Sequence, residues 1–535
     1  MMQFDPWYHP YPSKRTPMYS TRGMVGTSQP LASEAGLDML KKGGNAVDAA
    51  IATAAALTVV EPTSNGIGGD SFAILWLDGE MHGMNSSGRS PGEISIDAVK
   101  ARGYEKMPRS GLIPVNVPGA PGGWVALSER FGKLSLEEVL APAIRLAEEG
   151  FPVSPVVSKH WKTAVQLFPT DQPEFQPWFD TFTKNGKAPE PGEIWHLPDH
   201  GATLRKIAES KGKAFYEGEL AECVDQFSRK HDGFLRKEDF EKFTTDWVQP
   251  LSANYKGYDV WELPPNGQGI VPLMAMNILN GFDLPTKESA DTYHKHIEAL
   301  KLAFADGFEY ITDPEHMSID PEMLLTPEYA AERRALIGEK AIDPKAGTPP
   351  RGGTVYLATA DGEGNMVSMI QSNYAGFGSG IVIPGTGISM QNRGWEFQLD
   401  ENAANALAPN KRTYHTIIPG FLTKDDQPVG PFGVMGGYMM PQGHLQVLTN
   451  AIDYGFNPQA ALDAPRWKWL GGNTLEIESE FPAEIARQLV RKGHHIRPSL
   501  EAGSFGRGQV IWRNPESGVL VGGTESRADG HLAIW

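Results

Sequence analysis

One cysteine, Cys223, in 535 residues leaves no internal disulfide and no cysteine cluster for a metal, a composition compatible with a reducing compartment. Long hydrophobic runs are missing as well. The most apolar stretch, "AVDAAIATAAALTVV" from Ala46 to Val60, is too short to span a bilayer and carries Asp48, so it reads as a buried helix. The amino-terminal "MMQFDPWYHPYPSKRTPMYS" lacks the apolar core of a secretory leader and holds four prolines in its first seventeen residues; it reads as a capping arm. These absences predict a cytoplasmic protein without a membrane segment. Basic residues are also in short supply. Lys and Arg number 48 against 65 Asp and Glu, and the net charge of −17 argues against nucleic acid as a partner.

Hydrophobic residues make up 40% of the chain, enough for a large core. Length alone suggests three or four domains, and a single large one also fits. Leu31 to Lys42 has helical apolar spacing and stops at Gly43-Gly44, after which Asn45 is placed to cap a second helix running to Val60. Asp78-Gly79 marks a hairpin between short strands. The middle of the chain is mainly helical: "LEEVLAPAIRLAEEG" ends at Gly150, and "SADTYHKHIEALKLAFADGFEYI" puts Tyr293, Ile297, Leu300, Phe304 and Phe308 on one face. From Asp343 to Gly353 the composition turns to Pro, Gly, Lys and Thr, an exposed linker. Strands dominate after it, with one helix at "QGHLQVLTNAIDYG".

The junction "PPRGGTVYLATADGEGNMVSMIQSN", from Pro349, carries the chemistry. Val355 to Ala360 and Met366 to Gln371 read as two strands around a polar turn, 361–365. With Ala360 opposite Met366, antiparallel pairing sets Thr354 opposite Ser372, one hydroxyl beside another; a one-residue slip would send Ser372 to the other face. A threonine hydroxyl needs an adjacent base before it can act as a nucleophile. The α-amine of the same residue is such a base, with an ordinary pKa near about 8. It exists only if the Gly353–Thr354 bond is cut. Glycine at the junction gives the backbone freedom for Oγ to attack the preceding carbonyl, moving the chain from amide to ester before hydrolysis. Taken alone, Gly-Gly-Thr reads as a plain turn entering a strand.

"KKGGNAVDAAIATAAALTVVEPTSNGIGGDSF", "VPGAPGGW", "AIRLAEEGF", "LPPNGQGI", "AFADGFEYITDP", "APNKR" and "AIDYGFNPQAALDAPRW", in this order, resemble the γ-glutamyltransferase family of N-terminal-nucleophile hydrolases. The resemblance implies an α+β fold, a four-layer αββα sandwich, made as a precursor that cuts itself before a threonine. The pieces would be residues 1–353 and 354–535, together one intertwined domain. It implies Thr354 as nucleophile and Ser372 as the second hydroxyl beside it. Gly436 and Gly437 in "VMGGY" match the pair whose amides form the oxyanion hole, where two N–H donors must approach without side chains in the way. No cofactor and no metal are implied, since base, nucleophile and oxyanion donors all come from the chain.

The substrate pocket departs from the family pattern. Ser87 stands where the family has its carboxylate-binding arginine, and Arg89 lies two positions later; on a strand that shift keeps the same face. Tyr374 replaces the carboxylate-binding asparagine, Arg393 a glutamine, Glu396 an aspartate, and His415-Thr416 a serine pair; Val355 and Tyr356 follow the nucleophile in place of threonine and histidine. A cation at position 393 repels a substrate amine. The segment from Glu396 to Pro409 is short for a lid, which predicts an open cleft. His294 and His296 with Glu298 lack the i, i+4 histidine spacing of a zinc helix, and His494-His495 precede a strand without suggesting a site.

Three functions follow from this reading. The first is hydrolysis of the γ-glutamyl amide of glutathione or a related small molecule through a threonine acyl-enzyme, with water or an amine as acceptor. The second keeps the machinery and takes a glutaryl-type acyl group, which has a carboxylate and no α-amine. The third is a catalytically silent binding protein, against which the intact hydroxyl and glycine pairs weigh.

Overall fold

The computed structural model describes residues 10, 11, 15–344 and 354–535. Gly353, most of the linker and most of the amino-terminal arm lie outside the described residues. Asn45 caps the helix Ala46–Val60 by accepting from the amides of Val47 and Asp48 at 3.0 and 3.1 Å, while the Asp48 carboxylate accepts from Asn45 N–H at 2.9 Å. Every residue of that helix is buried. Its alanines are there because neighbours crowd it on all sides: a methyl group on Gly36 of the helix Pro30–Lys41 would sit 2.2 Å from Thr53 Oγ1.

Two antiparallel sheets of seven strands form the centre. The first runs, in spatial order, His531–Ile534, Gly23–Thr27, Val355–Asp361, Met366–Ser372, Asp70–Leu77, Glu80–Ser86 and Asp246–Val248. The second runs Met18–Ser20, Leu520–Thr524, Arg507–Arg513, Gln427–Met435, Gly420–Lys424, Tyr258–Glu262 and Leu251–Tyr255. Both sheets therefore mix strands from before and after Thr354. The helices Ala46–Val60 and Leu136–Glu149 share one apolar core with the first sheet. The helices Ile270–Leu279, Ala290–Tyr310 and Met439–Ile452 share another with the second. The result is the αββα sandwich, with helices outside and sheets face to face.

The local expectations hold with small changes. Asp78 and Gly79 turn the first hairpin with φ of 50° and 86°, the double left-handed conformation of a two-residue turn. Each strand after Thr354 is one residue longer than read, and the helix after Gly437 starts at Met439. Tyr356 fills the space between the sheets: a methyl on Gly433 opposite would meet its ring at 2.4 Å, and its hydroxyl reaches Ser368 Oγ at 2.9 Å. No helix among the described residues is long and apolar enough to cross a membrane.

Candidate active site

The register of the hairpin after the linker places the reactive pair. Val355 faces Gln371 and Ala360 faces Met366, so Thr354 falls opposite Ser372, and their hydroxyl oxygens are 3.2 Å apart. Ser372 in turn pairs with Asp70 on the next strand. Directly paired residues point to the same face, so Thr354, Ser372 and Asp70 form a row across three strand ends. All three are fully buried in the uncut chain.

Ser372 Oγ is held from two sides. Tyr374 N–H donates to it at 2.8 Å, with Tyr374 at a φ of 79°, and Arg393 Nη2 donates at 3.4 Å. A tyrosine in the left-handed region is strained, and such outliers concentrate at functional sites. The Arg393 guanidinium lies 4.2 Å over the Tyr374 ring and donates to Thr416 Oγ1 at 2.7 Å. Its Nε finds no acceptor among the described residues, although the side chain is wholly buried. Burial draws its pKa below the usual arginine value, opposed by Tyr374, Asp70 and Glu396. It remains a cation.

Glu396 is closed off by two phenols: Tyr374 donates to Oε1, and Tyr438 to Oε2 at 2.7 Å. Burial pushes its carboxyl up, against those donors and Arg393. Gln268 Nε2 bridges the carbonyls of Thr416 and Gly437 at 2.6 and 3.0 Å, tying the pocket to the glycine pair. Gly436 and Gly437 have φ of 139° and 63° and join the strand Gln427–Met435 to the helix Met439–Ile452. Their amides belong to the turn at the start of that helix, where the backbone dipoles favour negative charge.

His415 and Asp70 form a buried pair. Ile417 N–H donates to His415 Nδ1 at 3.4 Å, which leaves the ring proton on Nε2, 3.0 Å from Asp70 Oδ2. Burial, then Arg393 and Arg412, hold the imidazole well below its ordinary pKa, so it is neutral. Asp70 Oδ1 accepts from Gly88 N–H, Gly119 N–H and Gln391 Nε2, at 3.1, 3.1 and 2.9 Å. Burial nevertheless pushes its carboxyl up from 3.8 to about 7. An acid whose folded pKa is raised gives stability that is complete below its ordinary value and is lost as pH climbs to the folded one. The melting temperature is thus expected to fall between about pH 4 and about pH 7 by on the order of a few degrees from this group, and Asp70→Asn to flatten that fall; calorimetry of both proteins across the range measures it.

Of the residues singled out from the sequence, Thr354, Ser372, Tyr374, Arg393, Glu396, His415, Thr416, Gly436 and Gly437 are connected by these contacts. Arg89 is not. Its guanidinium pairs with Asp313 at 2.7 Å and Glu315 at 3.0 Å, because the strand that was to carry it ends at Ser86 and the alternation stops there. Around the expected open cleft, Tyr374, Arg393, His415 and Thr416 are buried and Glu396 is half-buried, and Phe397, Leu399 and Leu407 of the short segment pack with Ile94, Val99 and Ile113. Asp70, Gln268 and Tyr438 were not singled out, although all three stand in or beside motifs already quoted, "GIGGDSF", "LPPNGQGI" and "VMGGY". His494 does gather with His294 and Glu298: His294 Nδ1 lies 2.9 Å from His494 Nε2. The Lys301 ammonium, 2.8 Å from Glu298, already pairs with that carboxylate.

A family model described as Gamma-glutamyltranspeptidase matches residues 32–535. The chain is similar to the glutathione hydrolase-like YwrD proenzyme of Bacillus subtilis (strain 168), 38% identical over 526 residues that cover 95% of this chain and 98% of that protein. It is similar to the oxamate amidohydrolase proenzyme of Klebsiella pneumoniae subsp. pneumoniae, 34% identical over 532 residues, 96% of this chain and 98% of that one. Among solved structures it resembles the crystal structure of cephalosporin acylase from Bacillus halodurans, with a TM-score of 0.95, 60% identity and 99% of each chain covered.

Proposed function

The chain belongs to the gamma-glutamyltranspeptidase family, and from that premise we propose that it is a proenzyme that cuts itself before Thr354 and then works as an N-acyl amidohydrolase. The acyl group it takes ends in a carboxylate. Arg393 carries this reading: it is a buried cation, one hydrogen bond from Ser372 and two from Thr354, with an Nε that has no acceptor among the described residues. A carboxylate supplies that acceptor and neutralises the charge. The relative named for oxamate, whose acyl group ends in a carboxylate, fits the same preference.

In the reaction, the freed Thr354 amine takes the hydroxyl proton as Oγ attacks the substrate carbonyl. The amides of Gly436 and Gly437 hold the oxyanion, Ser372 orients Oγ, and the amine returns the proton to the leaving nitrogen. Water, or a second amine, then releases the acyl group from the threonine ester. The γ-glutamyl reading is the alternative, and Glu396 favours it, since an acid there suits an α-amine. Both Glu396 oxygens are taken by tyrosine hydroxyls, however, and Arg393 opposes an ammonium in the same pocket. Glutaryl-p-nitroanilide is therefore expected to be hydrolysed about tenfold or more faster, as kcat/KM, than γ-glutamyl-p-nitroanilide. The reverse order would overturn the acyl assignment.

A further inference from the structure

The helix Ala290–Tyr310 and the strand Trp467–Gly471 contribute walls to a small cavity of ≈ 10 Å³, room for about one water-sized guest. His296 and Trp467 line it, the first 4% exposed and the second fully buried. Neither His296 Nε2 nor Trp467 Nε1 finds a hydrogen-bond partner among the described residues. An indole N–H can only donate, and a buried donor left idle is costly. The neighbouring polar groups are engaged elsewhere. Gln446 clamps the Trp467 backbone, accepting from its N–H at 3.1 Å and donating to its carbonyl at 2.9 Å. Thr449 Oγ1 donates to Leu445 O at 2.8 Å, and Asn450 Nδ2 to Ala461 O at 3.3 Å. Lys287 brings charge to the same wall; its ammonium donates to the hydroxyls of Tyr11 and Tyr293, both at 2.7 Å, and pairs with Glu288 at 3.2 Å. Glu288 is exposed and lies outside the wall, so water screens its charge, whereas the Lys287 side chain is only 10% exposed. Among the described residues, no carboxylate lines the cavity.

We propose that this cavity binds one small monovalent anion, a halide such as chloride, which accepts from the Trp467 indole and the His296 imidazole beside the Lys287 ammonium. Burial, then Lys287 and Lys256, push the His296 ring down to about 3, so it is neutral and has one N–H, which an anion draws to Nε2. Water can accept from the same two groups; the ammonium, with no carboxylate in the wall, favours an anion. Lys287 and His296 precede Thr354 in the chain and Trp467 follows it, so the guest touches both pieces of the proposed cut. It binds the folded sandwich and not the unfolded chain, and stability therefore rises with its concentration. The site needs neither the cut nor the acyl assignment.

Melting of the full chain at constant ionic strength tests this. Exchanging about 0.2 M sodium gluconate, whose anion is too large for the cavity, for sodium chloride or bromide is expected to raise the melting temperature by about two degrees or more. Equal melting in all of these salts would sink the proposal. Trp467→Phe keeps an aromatic ring without the N–H, and the halide advantage is expected to vanish in it; an advantage that survives would remove the site from this cavity. Lys287→Gln, at the half-buried rim, is the second variant where Trp467→Phe does not fold, and the advantage is expected to shrink about twofold or more. In crystals soaked with bromide, an anomalous peak is expected between Trp467 Nε1 and His296 Nε2. Water density there without a bromine signal would overturn the assignment. So would a bromide peak without any gain in melting temperature, which is binding at crystal concentration only.

Discussion

Thr354→Ala is expected to give one full-length band on a denaturing gel, where the natural sequence gives two, with threonine at the amino terminus of the smaller. Activity on any acyl anilide is expected to fall at least about 10⁴-fold, because the same oxygen makes both the self-cut and the acyl-enzyme. The fold should hardly notice. Among its contacts the variant loses the hydroxyl contact of 3.2 Å with Ser372, a hydrogen bond contributing about 1 kcal/mol. A Thr354→Ser variant keeps oxygen and amine and should still cut. One uncut band from the natural sequence would favour the silent binding protein, and a cut alanine variant would move the nucleophile elsewhere.

The same hydroxyl pair marks what a sequence can and cannot tell. Thr354 and Ser372 are 18 positions apart and joined by one tight turn, so the two-residue alternation of strands was enough to bring them together. Asp70 stands directly beside Ser372 in the sheet but is far away along the chain, and nothing local announces that neighbour. Gln268 and Tyr438 meet the pocket through bonds that depend on how helices settle on the sheets. Arg89 failed for a different reason: alternation was extended past Ser86, where the chain leaves the sheet and Asp313 and Glu315 take the guanidinium. The family motifs supplied the glycine pair, which local pattern alone would have left as a turn.

Arg393→Gln has the second large expected effect. Charge-assisted hydrogen bonds to a carboxylate contribute about 1.5–3 kcal/mol, so glutaryl hydrolysis is expected to drop roughly 10- to 100-fold in kcat/KM. Hydrolysis of the γ-glutamyl compound should fall less or rise, since the repulsion of its ammonium goes with the cation. Arg393 also offsets part of the cost of burying Asp70 and Glu396, so both carboxyls should titrate still higher in the variant. Gel processing and a melting curve separate that loss from loss of recognition. Arg393→Lys keeps the charge but not the planar fork, and partial recovery is expected from it. An unchanged glutaryl to γ-glutamyl ratio would take Arg393 out of acyl selection.

The alternation of strands in the two sheets bears on the lifetime of the cut molecule. Val355–Asp361 and Met366–Ser372 lie between Gly23–Thr27 and Asp70–Leu77, and Gly420–Lys424 lies between Gln427–Met435 and Tyr258–Glu262. Under the proposed cut neither piece owns a complete sheet, so neither is expected to hold this fold alone. Unfolding of the nicked enzyme then changes the molecularity of recovery: the precursor refolds by a first-order process, while the two pieces must meet, at a rate that falls with dilution. Recovery from heat is therefore expected to fall with dilution for the proposed cut molecule and not for the precursor, and the durability of the cut molecule to depend on how slowly the sandwich opens.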